Sequence, residues 1–121
     1  MPNAPQPPAD FDDATKKTWR SSLKALRDQG TWQDSDRDAL ERYCRAVGRA
    51  RGARTILASE GLIAEGSQGQ PVAHPALRIA REAERDAAEY ARDLLLTPRS
   101  RRIAGVAETS SIEDELAQLV S

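Results

Sequence analysis

From Asp34 to Glu60 the chain runs DSDRDALERYCRAVGRARGARTILASE, without a proline, and Gly61 follows at once. No other stretch restricts the available folds as strongly. Three aspartates near its start favour the positive end of a helix dipole, and a glycine just past its end accepts the left-handed cap. At 1.5 Å per residue such a helix is about 40 Å long, the width of a small domain. The other segments must therefore pack along it or project from it. Gly48 and Gly52 weaken its interior and mark where it would break. At 100° per residue, Ala39, Leu40, Tyr43, Ala46, Val47, Ala50, Ala53 and Leu57 fall on one arc, and Arg42, Arg45 and Arg49 line a flank of it. An apolar arc this long is hard for a short chain to cover, so the helix reads as both scaffold and subunit contact. Arg54 falls inside the arc. Either its stem passes along the core to reach water, or its head meets a carboxylate on a neighbouring subunit.

At 121 residues the chain holds one domain, and with 39% apolar and 4% aromatic residues its core is modest. The net charge of −1 excludes a uniformly basic coat but leaves room for local basic patches. Cys44 is the only cysteine, so there is no internal disulfide and a reducing cytoplasm is expected. The one histidine, His74, lies thirty positions away, which argues against a metal site. Cys44 itself suits a small buried hydrophobe. No apolar run approaches 18 residues and MPNAPQPPAD is proline-rich, so neither a membrane span nor a signal peptide is expected.

Residues 1–9 read as a disordered or extended arm. Asp10 is placed to cap a first helix over Phe11 to Gln29, stopped by Gly30. Phe11, Thr15, Trp19, Ser22, Leu23 and Leu26 share its apolar face. Lys16, Lys17, Arg20, Lys24 and Arg27 stand on a neighbouring one, with Asp13 the only acid among them. Trp32 is expected to staple the entry to the long helix. Residues 61–73 form a small β-hairpin or a plain loop around Gly66-Ser67-Gln68-Gly69. Without a GK[ST] or a preceding buried strand, this glycine-rich stretch is not a phosphate loop.

Pro75, with His74 at the cap, opens a third helix to about Leu96. Its apolar stripe is Ala76, Ile79, Ala80, Ala83, Ala87, Tyr90, Ala91 and Leu94, and its opposite face carries charges spaced for intrahelical pairs. It should return antiparallel along the central helix. Thr97 and Pro98 begin a short fourth helix bearing Arg99, Arg101 and Arg102, ended by Gly105. Residues 106–121 form an acidic tail in which Ser110 and Glu113 make a capping box, with Ile112, Leu116 and Leu119 along one side. This suits a segment that docks in a partner's groove.

The fold class is thus mainly α. A helical hairpin core carries an N-terminal helix, a short helix after Pro98 and a C-terminal amphipathic segment. The domain over 10–105 is expected to serve oligomerisation and DNA binding. Repeated cations along a helix suit a polyanion, although a solvated helix face is the plainer reading of any such cluster. The expected DNA contacts are Lys16, Lys17, Arg20, Lys24 and Arg27, then Arg99, Arg101 and Arg102. Arg42, Arg45, Arg49 and Arg54 are assigned to DNA or to a subunit interface.

Several stretches taken in order resemble the P27 family of phage terminase small subunits. They are Ala14 and Trp19 in ATKKTWR, then Asp36, Leu40, Tyr43 and Cys44 on an aspartate-led helix, then Gly61-Leu62. His74-Pro75 and the run Thr97, Pro98, Ser100, Arg101, Ile103 complete the set. The resemblance covers roughly residues 14–104. It departs at His74, where the family usually has asparagine, and at Leu94-Leu95-Leu96, where it has Leu-Gly-Leu. The second departure is expected to carry the third helix nearer to Pro98. The resemblance implies a non-enzymatic packaging factor without cofactor. Such a factor assembles as a homo-oligomeric ring in the host cytoplasm, recognises viral double-stranded DNA and regulates the ATPase and nuclease of the large terminase subunit.

Two other classes compete. A helical DNA-binding transcriptional regulator would need a recognition helix, but the helix after the Gly30–Gln33 link begins with Asp34, Asp36 and Asp38, which repel phosphates. A helical adaptor that does not bind DNA would use every charge for solubility. An enzyme would have to pair Cys44 with His74, and Cys44 lies on a packing face. No catalytic residue is assigned.

Overall fold

A computed structural model describes residues 4–106 and Leu119. Helix α1 spans Asp13–Asp28, and a tight 3-10 turn at Asp34–Asp36 leads into α2, Arg37–Glu60. Strands β1 (Ile63–Glu65) and β2 (Pro71–Ala73) follow, then α3, Pro75–Asp93, and the short α4, Pro98–Ala104. The mainly helical class is as expected, and of hairpin and loop the chain takes the hairpin. Its register pairs Ile63 with Ala73, Ala64 with Val72 and Glu65 with Pro71.

The cap of α1 is Asp12, not Asp10. Asp12 is extended and accepts from the Thr15 N–H at 2.8 Å, satisfying one of the helix's free donors. Asp10 is drawn away by Arg45, which donates to both its carboxylate oxygens at 2.9 and 3.2 Å. The helix consequently starts two residues later than expected.

Helix α2 passes through both interior glycines unbroken, although its expected first residues form the 3-10 turn. Gly48 has a packing reason. A Cβ there would lie 3.1 Å from the Thr15 hydroxyl, so its absence lets α1 cross close over α2. Gly52 faces open space.

His74 caps α3 as expected, accepting from the Ala76 N–H through Nδ1 at 3.0 Å. The helix stops at Asp93 instead of running to Leu96. Pro98 holds Thr97 extended, and both Leu94 and Leu96 pack into the core, so the chain must turn between them. Leu95 makes that turn with φ of 62°, a conformation that favours glycine. A non-glycine residue in this conformation costs about 1–2 kcal/mol. Thr97 and Ser100 then cap α4 reciprocally.

The core divides in two. Phe11, Trp19, Leu23 and Leu26 meet Leu40 and Cys44 of α2 and Leu94 beyond α3, with Trp32, Ala39, Tyr43 and Leu96 half-buried around them. Trp32 thus packs at the entry to α2 as expected. Its indole N–H is buried without a hydrogen-bond partner among the described residues. At the other end of the α2–α3 hairpin, Ala53 and Leu57 pack on Ala76 and Ala80. The two clusters fix α2 and α3 as antiparallel.

Residues 4–9, expected as part of a disordered or extended arm, run as an extended strap over α1. The Trp19 indole N–H donates to the Pro5 carbonyl at 3.1 Å, and Arg37 donates to the Gln6 carbonyl at 3.0 Å. A proline-rich segment loses little entropy when fixed this way, which favours the strap.

Candidate nucleic-acid interface

The apolar face of α1 buries Thr15, Trp19, Ser22, Leu23 and Leu26, so helical periodicity turns its basic residues outward. Lys17, Arg20, Lys24 and Arg27 are exposed and Lys16 is half-buried. From Lys17 to Arg27 the row extends about 15 Å along the axis. Lys24 pairs with Asp28 one turn on. Such an exposed pair contributes little to stability and leaves the lysine available.

Two further cations flank this row, and the sequence reading did not assign them. Arg37 lies over the Trp19 ring, 5.2 Å from its centroid, and Arg51 donates to the Thr18 hydroxyl at 3.2 Å. A signal for them existed. They stand seven residues either side of the buried Cys44, so helical phase places all three on the face of α2 that receives α1.

The second basic group lies on α4. Arg99 and Arg102 are exposed and Arg101 is half-buried. Gln29, just past the end of α1, donates from its side chain to the Leu95 carbonyl at 3.0 Å. That bond brings the base of α4 beside the C-terminal end of the α1 row. Arg99 and the exposed Ile103 line a cavity of about 300 Å³ with Arg92 and Leu95.

The third group behaves differently. Arg45 is held by Asp10, lies near Glu41, and stacks over Phe11 at 4.9 Å. Arg49 approaches Asp86 of α3 at 3.7 Å. Arg54 meets Glu84 of α3, so its head finds a carboxylate within the same chain. Arg42 is exposed and has no ion-pair partner among the described residues. The expected intrahelical pairing on α3 holds for Arg78 with Glu82, whereas Glu84 and Asp86 reach across to α2.

Hydrogen bonds from Arg45 hold the Asp10 carboxyl below its usual range, and those from Arg54 do the same for Glu84. Cys44 is fully buried, and burial pushes its thiol up to about 12. It belongs to the cluster around Trp19, while His74 caps α3 at the far end of the hairpin, so no nucleophile–base pair forms from them. Of the tail residues expected to meet a partner, Leu119 is exposed, and Ile112 and Leu116 lie outside the described residues. No described helix is long and apolar enough to cross a membrane.

A family model described as phage terminase, small subunit, matches residues 15–111. Searches of curated proteins and of solved structures each found no significant match. The matched segment takes in α1 from Thr15 onward, α2, the β-hairpin, α3 and α4, nearly the whole described fold. The chain belongs to the family of phage terminase small subunits and has a role in phage DNA packaging.

Proposed function

We propose that this chain is a P27-type small terminase that recognises the packaging site on viral double-stranded DNA and regulates the large terminase subunit. It works as a homo-oligomeric ring in the host cytoplasm. The observation that carries the DNA reading is the exposed row of Lys17, Arg20, Lys24 and Arg27 on a helix whose opposite face is buried. Such a row positions a protein on the phosphate backbone, while the packaging site is read by contacts that do not depend on these charges. The α4 arginines extend the contact, because α4 starts beside the end of α1. Arg45, Arg49 and Arg54 are engaged by carboxylates and contribute less.

For the ring, support comes from Ile56, Leu62, Ile63 and Ile79. All four are exposed large apolar residues at the end of the hairpin away from α1. A closed ring needs two complementary surfaces per subunit, and this apolar end supplies one of them. Regulation of the large subunit is assigned to the acidic tail with Ile112, Leu116 and Leu119.

Fluorescence anisotropy with a labelled duplex across a salt series tests the DNA reading. Neutral replacement of Lys16, Lys17, Arg20, Lys24 and Arg27 together should weaken binding to all duplexes alike and flatten the log–log salt slope by up to about 4.5. An unchanged slope removes α1 from the interface. Light scattering tests the ring, since a stable monomer at working concentration overturns it.

A further inference from the structure

The strap and α1 enclose a groove of about 340 Å³. Pro5, Pro7 and Leu23 supply its apolar lining, and Arg20, Lys24 and Arg27 stand along it. It is therefore a basic-edged apolar slot on the same helix that is proposed above to meet DNA. We propose that the chain's own acidic segment, Ser110 to Val120, occupies this groove and competes with DNA for the α1 cations. The competition rests on the DNA reading, whereas the docking itself does not.

Three observations point to this occupant. The first is charge. After Arg102 the chain carries Glu108, Glu113, Asp114 and Glu115 and no basic residue, the complement of the groove's edge. The second is pattern. Ile112, Leu116 and Leu119 recur at helical spacing and offer one apolar row to the slot, where Leu119, exposed in the structure, becomes buried on docking. As a helix the eleven residues measure about 16 Å, against about 14 Å for the part of α1 from Trp19 to Asp28 that forms the wall. The third is reach. The Gln29–Leu95 bond sets the root of α4 next to Asp28, at the end of the groove. Helix α4 is about 10 Å long, and residues 107–109 span a similar distance back.

With the segment docked, its carboxylates sit where phosphates would, and Arg20, Lys24 and Arg27 are neutralised. The same segment is the one assigned above to the large terminase subunit. Its capture by that subunit clears the groove and exposes the α1 row, which couples DNA binding to the partner's arrival.

The test uses the full chain and two readouts. Zero-length carbodiimide cross-linking joins a lysine to a carboxylate it touches, and Lys24 is the only lysine lining the groove. A cross-link from Lys24 to Glu113, Asp114 or Glu115 is expected. It should disappear in I112S/L116S/L119S, which keeps every charge but loses the apolar row. The same variant should bind a labelled duplex about three- to ten-fold tighter at low salt, because the competitor has gone. No tail cross-link at Lys24, or one that the apolar variant leaves intact, overturns the docking. Unchanged duplex affinity in a variant that has lost the cross-link overturns the competition. Loss of the cross-link in a chain that binds no duplex in any form upholds the docking and refutes the DNA reading instead.

Discussion

The two ends of the α2–α3 hairpin are built on opposite plans. Beside α1, large side chains point inward: Trp19, Leu26, Leu40 and Cys44 are fully buried. At the β-hairpin end the seam is made of Ala53, Ala76 and Ala80 with Leu57, while Ile56, Leu62, Ile63 and Ile79 point out. Alanines let two helices approach closely, but they bury little area each. The first end therefore carries a self-sufficient core. The second end holds its helices together with small residues and an exposed ion pair, Arg54 with Glu84, and presents its bulky residues to something else. One long helix thus serves as the core of a subunit at one end and, in the proposed assembly, as its contact at the other.

The sharpest test of that contrast compares two leucines on the same helix. Leu40→Ala should cost about 4 kcal/mol in urea denaturation, because it opens a void among large, fixed neighbours. Leu57→Ala should cost about 2 kcal/mol, since its buried site is lined by small alanines and the helices can close over the loss. Equal costs would mean that the two ends are not built differently.

Next in size is the effect on association. The double variant I56S/I63S should lower the solution mass in light scattering, with subunit affinity reduced about tenfold or more, and leave the unfolding midpoint of the subunit almost unchanged. A fall in stability without a change in mass would assign these residues to the fold instead.

The two glycines of α2 divide along the same line. Gly52→Ala meets open space and should raise stability by about 0.5–1 kcal/mol. Gly48→Ala pushes a methyl towards the Thr15 hydroxyl, so α1 must shift, and the gain should be smaller or reversed. Thermal unfolding of the two variants reads the difference.

Acid provides the smallest effect. Asp10, Asp12 and Glu84 have carboxyls held below their usual values by Arg45, by Thr15 and by Arg54 respectively. A depressed carboxyl stabilises the fold above its unfolded pKa and loses that contribution as pH falls through its folded value. The contribution of these three carboxyls should therefore be constant from neutrality to about pH 5 and decline below about pH 4.5. D10N should make that decline shallower in urea titrations at stepped pH. A steeper decline would reverse the assigned sign.

Much of this molecule is legible along the chain. The buried face of α1, the long α2, the Pro75 and Pro98 helix starts and the outward lysines follow from periodicity and from proline and glycine chemistry, which act within a few residues. The departures come where distant groups compete. Asp10 and Asp12 are equally good caps in one dimension, and only Arg45, 35 positions away, claims the first and leaves the second to Thr15. Leu95 gives no local sign of a left-handed turn, which arises because Leu94 and Leu96 must both reach a core assembled from α1 and α2.

The same division applies to the candidate interface. The α1 row was visible because one helix writes it in order. Arg37 and Arg51 join its flanks only once α2 is laid against α1, and Arg54 finds Glu84 only once α3 is laid against α2. The sequence by itself determined where the helices lie, short of their terminal residues, and which face of each carries the core, because both depend on neighbours within a turn. Tertiary structure alone decided which cations remain exposed and which are held by carboxylates, because an ion pair depends on distance in space, whatever the separation along the chain.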